Sequence, residues 1–138
     1  MAEDLRLTGA VVYVRDLDKS VSFYRELLRL DVCDSTTTAA LLCTAEGPEL
    51  ILRSTGQASS HPLGQLGVQY VVWTVPSREE LDRCERVLRQ RSAYRDTRLT
   101  GKTTLVEGHD PDDIVVMLTY TEGSGHPPRE LSSRIYAW

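Results

Sequence analysis

Glu49, Ile51 and Arg53 alternate along one short β-prone segment, so a carboxylate and a guanidinium share one strand face. They could pair with each other or hold the charged groups of a ligand. Tyr13 and Tyr70 each lie in a segment rich in β-branched residues. Their rings can stack on a planar ligand and their phenols can hydrogen-bond to it. With Glu49 as a base, either tyrosine could act as the matching acid. The histidines are His61, His109 and His126, and no two have the i, i+4 or His-x-His spacing of a metal site. His109 with Asp110, Asp112 and Asp113 is the one cluster with metal-like chemistry, and a solvated turn held by Asx hydrogen bonds accounts for it more simply. Cys33, Cys43 and Cys84 are odd in number, widely spaced and free of any Cys-x-x-Cys pattern, so they are expected to be reduced thiols.

The elements that must position these residues come in two copies. Residues 10–30, AVVYVRDLDKSVSFYRELLRL, and 70–90, YVVWTVPSREELDRCERVLRQ, share one plan. Each is a short strand, a helix-start signal and an amphipathic helix. Val21, Tyr24, Leu27 and Leu28 have the same internal spacing as Leu81, Cys84, Val87 and Leu88. Asp16 and Asp18 can cap the first helix, expected over roughly 19–29. Ser77 and Glu80 form a capping box for the second, which should end near Gln90. Strands are expected near 7–14, 32–35, 39–44 and 49–54, with Glu46-Gly47-Pro48 as a turn. In the second copy they are expected near 67–75, 94–99, 103–107 and 114–120.

The order is βαβββ twice, an α+β fold of two modules forming a curved mixed sheet, or cup, with helices on the outer face. Residues 1–54 form the first module, 55–66 a turn-rich linker, 67–121 the second module and 122–138 a tail. Ile135, Tyr136 and Trp138 should anchor that tail. Strand parity then assigns faces. Ala10, Val12, Val14, Leu50, Leu52, Val71, Trp73, Val75, Val116 and Leu118 should lie under the helices. Val11, Tyr13, Ile51, Arg53, Tyr70, Val72, Thr74, Met117 and Thr119 should line the cup, with Glu49 and Val115.

Composition narrows the function classes. The 138 residues are 41% hydrophobic and 26% charged, a globular make-up, and no apolar run is long enough to span a bilayer. The acidic start MAEDLRLTG lacks a signal peptide's basic and apolar regions, so a cytoplasmic location is expected. A net charge of −4 without a basic stripe excludes nucleic acid as the expected partner. Each module, at about 60 residues, is marginal alone, so the halves should share burial or dimerise.

Residues 14–28, VRDLDKSVSFYRELL, and 108–113, GHDPDD, carry a family resemblance. The chain resembles the vicinal oxygen chelate superfamily, which includes glyoxalase I, extradiol dioxygenases, and fosfomycin- and bleomycin-resistance proteins. The first segment is similar to its strand-to-helix signature. The second is similar to its Asp-Pro-Asp-Gly turn, with Asp113 in place of the glycine. Leu28-Arg29-Leu30 stands where Leu-Gly-Leu is usual. The resemblance implies metal positions matching Gly9, Ile51, Tyr70 or Gln69, and Met117. A glycine, an isoleucine and a methionine cannot hold a hard divalent ion, and one tyrosine does not suffice. The expected protein is therefore like the bleomycin-resistance branch: a cytoplasmic homodimer without metal or cofactor, sequestering a hydrophobic or aromatic natural product. The alternatives are a cofactor-free isomerase, cyclase or lyase of a biosynthetic pathway, or a metal-dependent lyase or dioxygenase.

Overall fold

The structure is a computed structural model. It describes residues 9–45, 47–55 and 70–123, excluding the side chains of 47–49 and 70. The chain divides into two compact units, Met1–Ser60 and His61–Trp138. The first contains β1 (Ala10–Val14), α1 (Leu17–Leu28), β2 (Asp31–Ser35), β3 (Ala39–Thr44) and β4 (Gly47–Ser54). The second contains β5 (Tyr70–Thr74), α2 (Arg78–Gln90), β6 (Tyr94–Thr100), β7 (Thr103–His109) and β8 (Val115–Thr121). The expected βαβββ order is present in both.

Each unit is a four-stranded mixed sheet of the same topology. The spatial orders are β1-β4-β3-β2 and β5-β8-β7-β6. In each the first and last strands pair in parallel and the other neighbours antiparallel. The parallel pair follows from connectivity: the helix carries the chain across the sheet, and the next three strands return by short turns.

The local signals act as the residue types predict. Asp16 caps α1 by accepting from the Lys19 amide at 3.1 Å, while Asp18 sits in the first turn. Ser77 caps α2 by accepting from the Glu80 amide at 3.1 Å, and Glu80 also accepts from Arg83 Nε at 2.8 Å. In the first unit α1 covers β3 and β4, burying Phe23, Tyr24 and Leu27 against Leu42, Leu50 and Leu52. In the second α2 covers β8, β6 and β7, burying Leu81, Cys84, Val87 and Leu88 with Val106, Val116 and Leu118. The helix-facing parity is as expected: Val14 and Val75 are buried and Ala10, Val12, Val71 and Trp73 are half-buried.

Three local expectations change. Gly47 and Pro48, expected in a turn, belong to β4, where they pair with Thr44 and Cys43. Pro48 is tolerated there because it lies at a register irregularity near the strand's start. The turn after β7 starts later than expected, since the strand continues through Gly108 to His109. Cys33 and Cys43, expected as separate thiols, form a disulfide between β2 and β3, with a Cα–Cα separation of 6.2 Å. The cause is a bulge in β2: Val32 opposes Leu42 and Asp34 opposes Leu41, leaving Cys33 as the extra residue beside β3. Cys84 is buried and outside any disulfide.

Two turns explain the departures noted around Arg29 and Asp113. Arg29 ends α1 in the left-handed region at φ 54°, and Asp113 adopts φ 65°. Glycine reaches that region without steric cost, which is why a Leu-Gly-Leu and an Asp-Pro-Asp-Gly pattern suit these positions.

Candidate functional site

The sheet face opposite each helix is where side chains are free to meet a ligand. In the first unit this face is built from two rows running across three strands. Val11 on β1 opposes Ile51 on β4, which opposes Leu41 on β3; Tyr13 opposes Arg53, which opposes Ala39. Strands lie about 4.8 Å apart, so each row sets its residues side by side. Val11 is 57% exposed and Tyr13 62%. Arg53 is exposed and Ile51 half-buried. An apolar and aromatic surface next to one guanidinium suits a planar or apolar ligand that carries a hydrogen-bond acceptor.

The same face of the second unit has two rows across four strands and a third across three. One runs Val72, Met117, Glu107, Asp96; the next Thr74, Thr119, Leu105, Arg98; and Val115 lies between Tyr70 and His109. Here the edges are exposed and the centre is not. Leu105, Val115 and Met117 form a buried apolar cluster, with Met117 2% exposed. Thr119 is fully buried, its Oγ1 3.4 Å from that of Thr74. Val72 and Thr74 are exposed.

Glu107 is 5% exposed and stands between Met117 and Asp96, at the border of this apolar centre. Parity of the segment TTLVEGH, applied to β7 as it was to β1 and β8, would have placed it there. Arg98, paired with Leu105, donates from Nε to Asp96 at 2.7 Å. Its pKa is held above the ordinary value, first by that hydrogen bond and further by the charges of Asp96 and Glu107, with desolvation opposing. The pair is half-exposed and adds little stability. Its interest is that Asp96, Arg98 and Glu107 place three charged groups on one face.

His109 and the acidic turn are structural. Asp110 is buried and its Oδ1 accepts from the amides of Asp112 at 2.8 Å and Ile114 at 2.9 Å. His109 Nδ1 lies 3.2 Å from the Asp110 carbonyl and 3.5 Å from Asp113 Oδ1. The turn is thus an Asx-type loop whose key carboxylate faces inward and not to solvent. The backbones of Glu49 and Tyr70 lie in β4 and β5, but their side chains are outside the described residues, as are Gln69, His61, His126 and the tail with Ile135, Tyr136 and Trp138.

A family model described as the glyoxalase/bleomycin resistance protein/dioxygenase superfamily matches residues 6–132. The chain belongs to this superfamily. A glyoxalase/bleomycin resistance protein/dioxygenase domain from Frankia sp. EAN1pec is similar in fold, with TM-score 0.74 and 23% identity over 91% of this chain and 98% of that one. A lactoylglutathione lyase from Agrobacterium tumefaciens gives TM-score 0.66 and 16% identity, over 86% and 96%. A fosfomycin resistance protein from Listeria monocytogenes gives 0.68 and 14%, over 88% and 97%. No curated protein sequence matches the chain.

The resemblance implies metal positions at Gly9, Ile51, Tyr70 or Gln69, and Met117. The described residues do not fit that role. Gly9 has no side chain, Ile51 has no donor atom, and Met117 is packed in an apolar cluster with Leu105 and Val115. A hard divalent ion needs oxygen or imidazole ligands, which a thioether among aliphatic side chains does not replace.

Proposed function

We propose that this superfamily member is a metal-independent small-molecule-binding protein that sequesters a hydrophobic or aromatic natural product, as a cytoplasmic homodimer. The observation that carries the reading is the row pair Val11–Ile51 and Tyr13–Arg53, exposed at Val11, Tyr13 and Arg53, an apolar and aromatic sheet face carrying one cation. Large exposed apolar side chains in register on one face are what ligand surfaces offer. The sequestration reading places no demand on a reactive group.

The test is calorimetric titration of the purified protein with a panel of aromatic natural products, alongside native mass spectrometry. Binding by at least one compound is expected, with Tyr13→Ala weakening it about 5- to 30-fold, the equivalent of about 1–2 kcal/mol. A dimer that binds none of the panel, or binding indifferent to Tyr13→Ala and Arg53→Ala together, would refute the reading.

A second reading, a cofactor-free isomerase or cyclase, is favoured by Glu107. That residue is 5% exposed, on a strand between Met117 and Asp96, and a carboxylate held there could act on a bound ligand's proton. Under this reading Glu107→Gln abolishes turnover of a bound compound while leaving its affinity within about twofold. Under sequestration the compound is recovered unchanged from the wild-type protein.

A further inference from the structure

We infer that Cys33 and Cys43 are a reversible dithiol–disulfide site, oxidised by low-molecular-weight disulfides such as oxidised glutathione. The inference is independent of the proposed ligand. Four observations carry it. The two sulfurs come together across neighbouring strands although the residues are only ten apart in sequence. β2 is the outer strand of its sheet and all five of its residues are exposed, so an incoming disulfide can reach Cys33. Cys33 is the extra residue of the β2 bulge, so it has no cross-strand partner holding it in register. The reduced form also has a place to go, because Cys33 Sγ lies 3.3 Å from the Leu41 carbonyl oxygen, to which a thiol can donate. Exposed disulfides that close short loops at a sheet edge belong to the labile class, whereas buried ones resist reduction.

The chemistry is two exchange steps. The Cys33 thiol loses its proton, and its thiolate attacks one sulfur of oxidised glutathione. A sulfur–sulfur bond forms to Cys33, the glutathione bond breaks, and one glutathione thiolate leaves and takes up a proton. The Cys43 thiolate then attacks the Cys33 sulfur of this mixed disulfide and displaces the second glutathione. Two protein thiols have lost two electrons and two protons, and one oxidised glutathione has become two reduced molecules. Cys33 is assigned as the attacking thiol because it is exposed while Cys43 is half-buried.

Buried Cys84 supplies an internal control. The full-length protein is equilibrated in glutathione buffers of rising oxidised fraction, quenched with acid, alkylated and weighed intact. Oxidation is expected to remove two hydrogen masses, to join the peptides containing residues 33 and 43, and to be undone by excess reduced glutathione. Cys84 should alkylate only after denaturation. Cys43→Ser should stop at a glutathione adduct on Cys33, while Cys33→Ser should react far more slowly. Amide exchange in β2 should be slower in the oxidised protein than in the reduced one. The inference is overturned if the mass stays that of the dithiol in fully oxidised buffer, or if both cysteines carry glutathione without joining. It is equally overturned if the bond, once formed, withstands excess reduced glutathione under native conditions.

Discussion

Gly108 is the residue whose replacement should say most about how α2 is seated. A Cβ built there would lie 2.7 Å from the Ala93 carbonyl oxygen and 2.8 and 2.9 Å from the two Leu88 methyls. All three are shorter than real contacts of this kind. Leu88 is fully buried and cannot rotate away without displacing the core. The Ala93 oxygen is backbone, and it already accepts from the His109 amide at 2.9 Å. Restoring an ordinary contact of 3.4 Å from 2.7 Å moves the backbone at Ala93, just after α2, by about 0.7 Å, and Leu88 within α2 by slightly less. Overpacking of this size costs about 1–3 kcal/mol. Weakening the His109 hydrogen bond adds about 1 kcal/mol. Gly108→Ala is therefore expected to destabilise the protein by ~2–4 kcal/mol, lowering the melting temperature by roughly 10 °C. Urea unfolding followed by circular dichroism measures this, with an unchanged m-value showing that stability alone has moved. In a double-mutant cycle, Leu88→Ala, which costs about 2–5 kcal/mol alone, should be less than additive with Gly108→Ala, because the clashing methyls are gone. A Gly108→Ala protein within about 0.5 kcal/mol of the parent would refute the reasoning.

Other substitutions test other parts of the fold. Arg29→Gly and Asp113→Gly remove left-handed strain at φ 54° and 65° and are each expected to raise unfolding free energy by about 0.5–1 kcal/mol. Sitting in different units, they should add, as combined denaturation curves would show. Ser20 Oγ is buried with no hydrogen-bond partner, so Ser20→Ala should stabilise by about 0.5–1 kcal/mol in the same assay. Asp110→Ala takes the acceptor from two amides and should cost about 2–3 kcal/mol, while Asp110→Asn, which keeps an oxygen there, should cost about 1 kcal/mol.

What could be read in the sequence is what is repeated or periodic. The helices announce themselves through Asp16, Ser77 and the spacing of Leu81, Cys84, Val87 and Leu88. Face assignment followed from a period of two, which is why Val11 and Tyr13 emerged opposite to Val14. What escaped depends on contacts between distant residues. The β2 bulge is one extra residue, invisible to composition, yet it brings Cys33 to Cys43. Gly108 stood just past the expected end of its strand; its reason is the approach of Leu88 and Ala93, 20 and 15 positions earlier. Glu107 was legible from parity in TTLVEGH, but a single carboxylate in a strand looks solvent-facing, and its burial opposite Met117 depends on tertiary packing.

The two modules share a topology but not a surface chemistry, and that difference bears on function. In the first, the face opposite the helix exposes an aromatic ring and a guanidinium, Tyr13 and Arg53. In the second, the equivalent face buries the aliphatic residues Leu105, Val115 and Met117 and one acidic residue, Glu107. The second-strand and third-strand positions also differ: Cys33 and Cys43 occupy the first unit, while Asp96, Arg98 and Glu107 occupy the second. Packing under the helices constrains both copies alike, since losing a buried leucine costs about 2–5 kcal/mol wherever it sits. The first unit's face opposite its helix carries less of that constraint, since Val11 is 57% and Tyr13 62% exposed, so its residues are free to be set by what they meet. Sequestration requires that Tyr13 and Arg53 matter for binding, whereas cofactor-free catalysis requires that Glu107 matter for turnover.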